Sequence, residues 1–98
     1  MHISVIRNRA GFKVKSKADC KTLITELLMK GGKYYIPVNP RCEYRIEVEN
    51  DGRVKLYVRT GDLTDPFNPE LQVPDSRIID TLYQRRRHIN KTFFNDEY

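Results

Sequence analysis

The stretch from residue 42 to residue 59 has the least conformational freedom in this chain. Cys42, Tyr44, Ile46 and Val48 alternate with charged residues, and Val54, Leu56 and Val58 alternate with Lys55 and Tyr57. A period of two is the mark of a half-buried strand. Between the two runs lies Asn50-Asp51-Gly52. A three-residue loop with Gly52 in the left-handed region makes a type I turn followed by a bulge. That loop pairs Val48 with Val54, Ile46 with Leu56 and Tyr44 with Val58. It also sets Glu49 against Arg53, Glu47 against Lys55 and Glu43 against Arg59. A two-residue Asp51-Gly52 loop would put Glu49 opposite Val54 and mix the two faces, so the three-residue loop is expected.

The flanking segments read as follows. Residues 2–6 and Phe12–Lys15 alternate weakly around an Arg9-Ala10-Gly11 turn, which predicts an N-terminal hairpin with Phe12 and Val14 inward. Ser16-Lys17-Ala18-Asp19 fits a capping box. Cys20, Leu23, Ile24, Leu27 and Leu28 then fall on one helical face, and Gly31-Gly32 ends the helix. Lys33–Val38 predicts a strand, closed by Pro37 and Asn39-Pro40. Residues 61–75 carry Pro66, Pro69 and Pro74 and no usable period, which predicts an extended irregular loop. Asp75 or Ser76 caps a second helix whose apolar side is Ile78, Ile79, Leu82 and Ile89, with Tyr83 flanking. Phe93 and Phe94 either extend it or fold back, and residues 95–98 are expected to fray. The sum is one α+β domain over residues 1–98: hairpin, helix, three-stranded antiparallel meander, proline loop, C-terminal helix. Both helices are expected on one face of the sheet.

Charge narrows the function. The net charge is +5, which favours an anionic partner such as nucleic acid or an acidic protein patch. The charge is segregated. Residues 1–17 carry five bases and no acid, while residues 61–75 carry Asp62, Asp65, Glu70 and Asp75 and no base. A second basic run follows at Arg85-Arg86-Arg87. Cys20 and Cys42 are too few for a disulfide framework, and both lie on apolar faces, so both are expected to be buried free thiols in a reducing compartment. With no membrane-length apolar run and no signal-peptide core, a cytoplasmic location is expected. His2, His88 and the two cysteines show no metal-ligand spacing. There is no glycine-rich phosphate loop and no carboxylate pair in an apolar setting. The expectation is therefore a binding protein without metal or cofactor, with a small hydrolase or toxin as the catalytic alternative.

Three surfaces are candidates. Arg85, Arg86, Arg87, His88 and Lys91 can meet nucleic acid or an acidic partner, although four consecutive helical residues cannot all face one way. Arg45, Arg53, Lys55, Tyr57 and Arg59 share the outer face of the hairpin with Glu43, Glu47 and Glu49; single-stranded nucleic acid or a self-neutralised solvent face both fit. Pro66, Phe67, Asn68 and Pro69 place an aromatic on a stiff backbone, which suits a protein anchor. The alternative is that Phe67 tucks into the chain's own core. The X-Pro bonds of this loop are also possible substrates for a prolyl isomerase.

The order helix, three strands, helix over residues 17–90 resembles that of double-stranded RNA-binding domains. Those domains open the second helix with lysines, where this chain has Asp75-Ser76-Arg77-Ile78, so the likeness is one of topology. Size, basicity, few cysteines and the proline-bearing loop are similar to small lambdoid-phage accessory proteins of the anti-RecBCD kind. That resemblance implies binding to the host RecBCD helicase–nuclease in the host cytoplasm and modulation of its nuclease, to the benefit of phage recombination. It also makes the proline loop a contact for a host prolyl isomerase. The reading that combines these features is a non-catalytic protein-binding modulator of a nucleic-acid-processing enzyme. The competing reading is a direct DNA or RNA binder that uses the basic helix.

Overall fold

The structure is a computed structural model and describes residues 13–94. Its elements are α1 (Lys17–Lys30), β1 (Lys33–Asn39), β2 (Cys42–Val48), β3 (Val54–Thr60), β4 (Leu71–Val73), a 3-10 turn (Asp75–Arg77), α2 (Ile78–Gln84) and α3 (Arg86–Phe94). The strands form one antiparallel sheet in the order β1-β2-β3-β4. The helices pack against one face of it, giving the α+β arrangement expected.

Helix α1 starts and stops where its sequence dictates. Ser16 is extended at φ −139°, and its hydroxyl accepts the Asp19 N–H at 3.2 Å. The Asp19 carboxylate accepts the N–H groups of Ser16 and Lys15 at 3.0 and 2.9 Å. Two otherwise orphaned donors of the first turn are thereby satisfied. At the other end Gly31 takes φ 74° and donates to Leu27 O at 2.7 Å. Cys20, Leu23 and Leu27 are buried, while Leu28 sits at the rim of the core, 39% exposed.

The hairpin register is the expected one. Val48 faces Val54, Ile46 faces Leu56, Tyr44 faces Val58 and Glu43 faces Arg59. Gly52 has φ 85°, its N–H bonds Glu49 O at 3.0 Å, and the Glu49 N–H bonds Arg53 O at 2.7 Å. The inward positions Tyr34, Ile36, Ile46 and Leu56 meet Cys20, Leu23, Leu27, Ile78, Leu82, Ile89 and Phe93 in one core. The Tyr34 ring meets Phe93 edge-on, with centroids 5.8 Å apart, and its hydroxyl donates to Gly31 O.

The structure corrects the sequence reading in four places. First, the proline loop is shorter than expected: Leu71-Gln72-Val73 pairs with Val58, Tyr57 and Leu56 as a fourth strand. A strand of three residues, in the four-residue gap between Pro69 and Pro74, is too short to show a period, but β3 offers an open edge and the short run pairs with it. Second, the C-terminal helix is broken. It begins as a 3-10 turn without a side-chain cap, and Arg85 leaves helical geometry at φ −103°, ψ 18°. No proline or glycine marks the break. The Arg85 guanidinium is held against Tyr44 of β2 instead, 5.5 Å from the ring centroid and 3.4 Å from its hydroxyl. Beyond the break, Phe93 and Phe94 continue the helix. Third, most of the expected N-terminal hairpin, and the tail at 95–98, lie outside the described residues. Within them, Lys13, Val14 and Lys15 belong to no strand. Val14 does point inward, 1% exposed. Fourth, Cys20 is buried but Cys42 only half so; both are free. Among the described residues no helix is long and apolar enough to cross a membrane.

Candidate functional site

The proline loop leaves β3 at Gly61, whose N–H reaches Arg41 O in the β1–β2 turn at 2.9 Å. The positive φ of 94° at Gly61 makes this sharp exit possible. Two turns follow in succession. Asp62 Oδ1 accepts the Thr64 N–H at 3.0 Å and its hydroxyl at 2.6 Å, which holds the Asp62 carboxyl below its ordinary range. Asp65 Oδ1 accepts the Phe67 N–H at 2.9 Å. The Asn68 amide donates to Thr60 O at 2.8 Å and Asp62 O at 2.9 Å, and Arg59 donates to Leu63 O at 3.0 Å. These bonds tie the loop to itself and to the end of β3. Pro66 and Pro69 are exposed, and Phe67 stands 89% exposed between them. The alternative in which Phe67 fills the core is excluded. Leu71, in β4, is also exposed, at 63%.

The basic helix does not act as one block. Arg85 is committed to Tyr44, as described above. Arg86 lies over the Tyr83 ring, 4.4 Å from its centroid, and donates to Tyr83 O at 3.0 Å. Arg87, His88 and Lys91 line an open cleft of about 830 Å³ against Pro37, Val38 and Asn39 of β1. A second cleft of about 420 Å³ lies beside it and is lined by Lys15, Arg86, Arg87 and His88. His88 Nδ1 is buried with no hydrogen-bond partner among the described residues. Burial, together with the positive charges of Arg85, Arg87 and Lys91, pushes the His88 imidazole below its ordinary pKa.

The outer face of the sheet is a salt-bridged lattice. The Arg45 guanidinium donates to both Glu70 oxygens at 2.9 Å, pairs with Glu47 and lies 4.2 Å from the Tyr57 ring centroid. Lys55 reaches Asp75 at 3.1 Å rather than the Glu47 that faces it in register. Arg59 meets Glu43 at 3.5 Å, and Arg53 pairs with Asp51 at 2.6 Å rather than with Glu49. Arg45, Lys55, Tyr57 and Arg59 are thus all engaged within the chain, and this surface matches the self-neutralised alternative.

Several residues that matter here escape a sequence reading. Glu70 and Asp75 appear in sequence as loop acids, yet they lock β4 and the 3-10 turn to the sheet through Arg45 and Lys55. Asp62 and Asp65 look like acidic surface, yet their carboxylates shape the turns that present Phe67. An acid two residues before a backbone N–H inside a proline-rich loop was the available signal. Asn90, whose side-chain amide bonds both backbone groups of Val14, gave none. The Cys20 thiol is pushed up to about 11 by burial, so it is protonated at neutral pH and a poor nucleophile. No group of three His, Cys, Asp or Glu side chains among the described residues is placed to hold a metal. No family model, curated protein or solved structure matches this chain.

Proposed function

We propose that the chain is a non-catalytic protein-binding module that docks on a larger protein through the Phe67 loop and modulates a nucleic-acid-processing enzyme. The observation that carries this reading is a large aromatic, 89% exposed, on a loop whose turns are held by Asp62, Asp65, Asn68 and Arg59. Exposing a phenyl ring to water has no benefit to folding. Fixing its backbone beforehand removes ordering entropy that binding would otherwise cost. Aromatics that become buried on contact are among the anchors that carry most of the binding energy of protein interfaces. Pro66 and Pro69 stiffen the loop and offer a prolyl isomerase two accessible X-Pro bonds. The resemblance to anti-RecBCD proteins names the RecBCD helicase–nuclease as the first partner to assay.

The test is binding of purified RecBCD to the immobilised chain, with Phe67→Ala beside the wild type. The expected result is saturable binding by the wild type and a loss of about thirtyfold or more with Phe67→Ala, the range of an interface anchor at about 2 kcal/mol. The thermal midpoint of Phe67→Ala should match the wild type. If RecBCD does not bind, a bacterial-lysate pull-down with the same pair of proteins searches for the partner. Capture that is unchanged by Phe67→Ala, or that nuclease treatment abolishes, counts against the reading.

A further inference from the structure

We propose that the ridge of Arg87 and His88, with the cleft on either side of it, is a binding site for the phosphate backbone of nucleic acid. The site is separate from the Phe67 loop and does not rest on it. One cleft adds Lys91 and the β1 segment Pro37–Asn39. The other adds Lys15 and Arg86. No carboxylate of the described residues lines either cleft. Asp19 meets the Lys15 backbone N–H at the edge of the second, where it caps α1. The acids that offset charge elsewhere, Glu43, Glu47 and Glu70, are held by arginines on the opposite face of the sheet. Among the described residues, the two clefts are thus lined by four bases, Lys15, Arg86, Arg87 and Lys91, and by no acid.

The shape selects the ligand. A small anion fits one enclosed pocket, whereas these are two open clefts that share Arg87 and His88 across one ridge. Such a pair suits a polymer with charges repeated along it. No Phe, Tyr or Trp of the described residues lines either cleft, and His88, the one aromatic ring that does, is half-buried; stacking platforms are scarce and the contacts fall mainly on phosphates. Recognition is then independent of sequence and strongly dependent on salt. His88 fits this role. Its buried Nδ1 has no hydrogen-bond partner among the described residues, and the ring stands between cations whose repulsion an incoming phosphate would offset.

Fluorescence anisotropy of a labelled random-sequence DNA duplex, titrated with the full chain at low salt, tests the proposal. Two variant pairs probe the clefts separately: Arg87→Gln with Lys91→Gln, and Lys15→Gln with Arg86→Gln. Each pair is expected to weaken binding at least tenfold and to lower the salt slope by about one for each phosphate contact removed. A charge-matched control, Lys21→Gln with Arg41→Gln, lies outside both clefts and should change affinity less than threefold. Phe67→Ala should bind DNA like the wild type, which separates this site from the protein-docking one. Circular dichroism melts confirm that each variant is folded; the substituted side chains are exposed. Equal losses in control and cleft variants would reduce the effect to bulk charge and overturn the site. So would an absence of binding at low salt, or polyglutamate competing as well as DNA at equal charge.

Discussion

The side-chain amide of Asn90 takes the place of a neighbouring strand for Val14. Its Oδ1 accepts the Val14 N–H at 2.7 Å and its Nδ2 donates to the Val14 carbonyl at 2.9 Å. Both residues are 1% exposed. Val14 thus enters the core with both its backbone polar groups satisfied, although residues 13–15 belong to no strand. Asn90 lies one residue after Ile89 and three before Phe93, so the face of α3 that closes the core also anchors the chain's N-terminal approach.

Asn90→Ala should remove both bonds and leave a buried N–H and a buried C=O without partners. Each such group costs about 1–3 kcal/mol, so a loss of about 2–6 kcal/mol in urea unfolding is expected. Asn90→Leu keeps the volume but not the bonds and should not restore stability. Cleavage by a nonspecific protease near Val14 should quicken in both variants. A midpoint within experimental error of the wild type would show that Val14 finds other partners.

Gly52 supplies a test of the turn alone. It sits at φ 85°, and a Cβ placed there meets no atom within 4 Å. Gly52→Ala should therefore act through the backbone only and cost about 1–2 kcal/mol. Gly52→Asn should cost less, because asparagine tolerates the left-handed region. Chemical denaturation of the two variants checks the order.

The hairpin was readable because Gly52, the alternation and the charges on both strands agree on one register. The break at Arg85 was not, because arginine is a good helix former and carries no local signal for leaving the helix. What holds it is Tyr44, far away in sequence. Strand β4 was hidden for a related reason. Leu71-Gln72-Val73 is too short to declare itself, and the Arg45–Glu70 and Lys55–Asp75 pairs that fasten it exist only once the chain has folded. The same limit applies to the candidate surfaces. The proline spacing left Phe67 either exposed or tucked into the core, and the bonds of Asp62, Asp65 and Asn68 decide for exposure; the grouping of Lys15 with Arg87 and His88 depends on how α3 packs against residues 13–15.

Arg45 should resist replacement even by lysine. Its side chain is 13% exposed, and it bridges Glu70 through two nitrogens while covering Tyr57. Lysine offers a single ammonium and cannot reproduce the fork. Arg45→Ala is expected to cost about 1–3 kcal/mol, within the range for losing hydrogen bonds to charged partners, and Arg45→Lys to recover less than half. Hydrogen exchange at the amides of Leu71–Val73 should accelerate in both, because the edge strand loses its tie to Glu70. Unchanged protection there would mean that backbone pairing with β3 suffices.

His88 should make the fold sensitive to mild acid. Its imidazole is half-buried and faces Arg85, Arg87 and Lys91; desolvation and these charges hold its folded pKa below the ordinary 6.5. The unfolded chain then binds this proton more readily than the folded one. Stability is full above about pH 6.5 and falls as the pH drops from there towards the folded pKa, below which both states are protonated and the loss levels off. The carboxylates of Asp19, Asp51, Asp62 and Asp80 are also held low, by hydrogen bonds and salt bridges. Their contributions survive through this window and disappear only in stronger acid, as pH falls from about 3.8 through their folded values. Urea midpoints measured from pH 7.5 to pH 5 should therefore decline in the wild type and hold nearly level in His88→Gln. An imidazole titration followed by NMR should place the His88 midpoint below that of an unstructured histidine peptide. A normal midpoint, or the same decline in His88→Gln, would transfer the acid sensitivity to another group. Bound DNA supplies the opposite field, so saturating the chain with the duplex should raise the imidazole midpoint and flatten the wild-type decline.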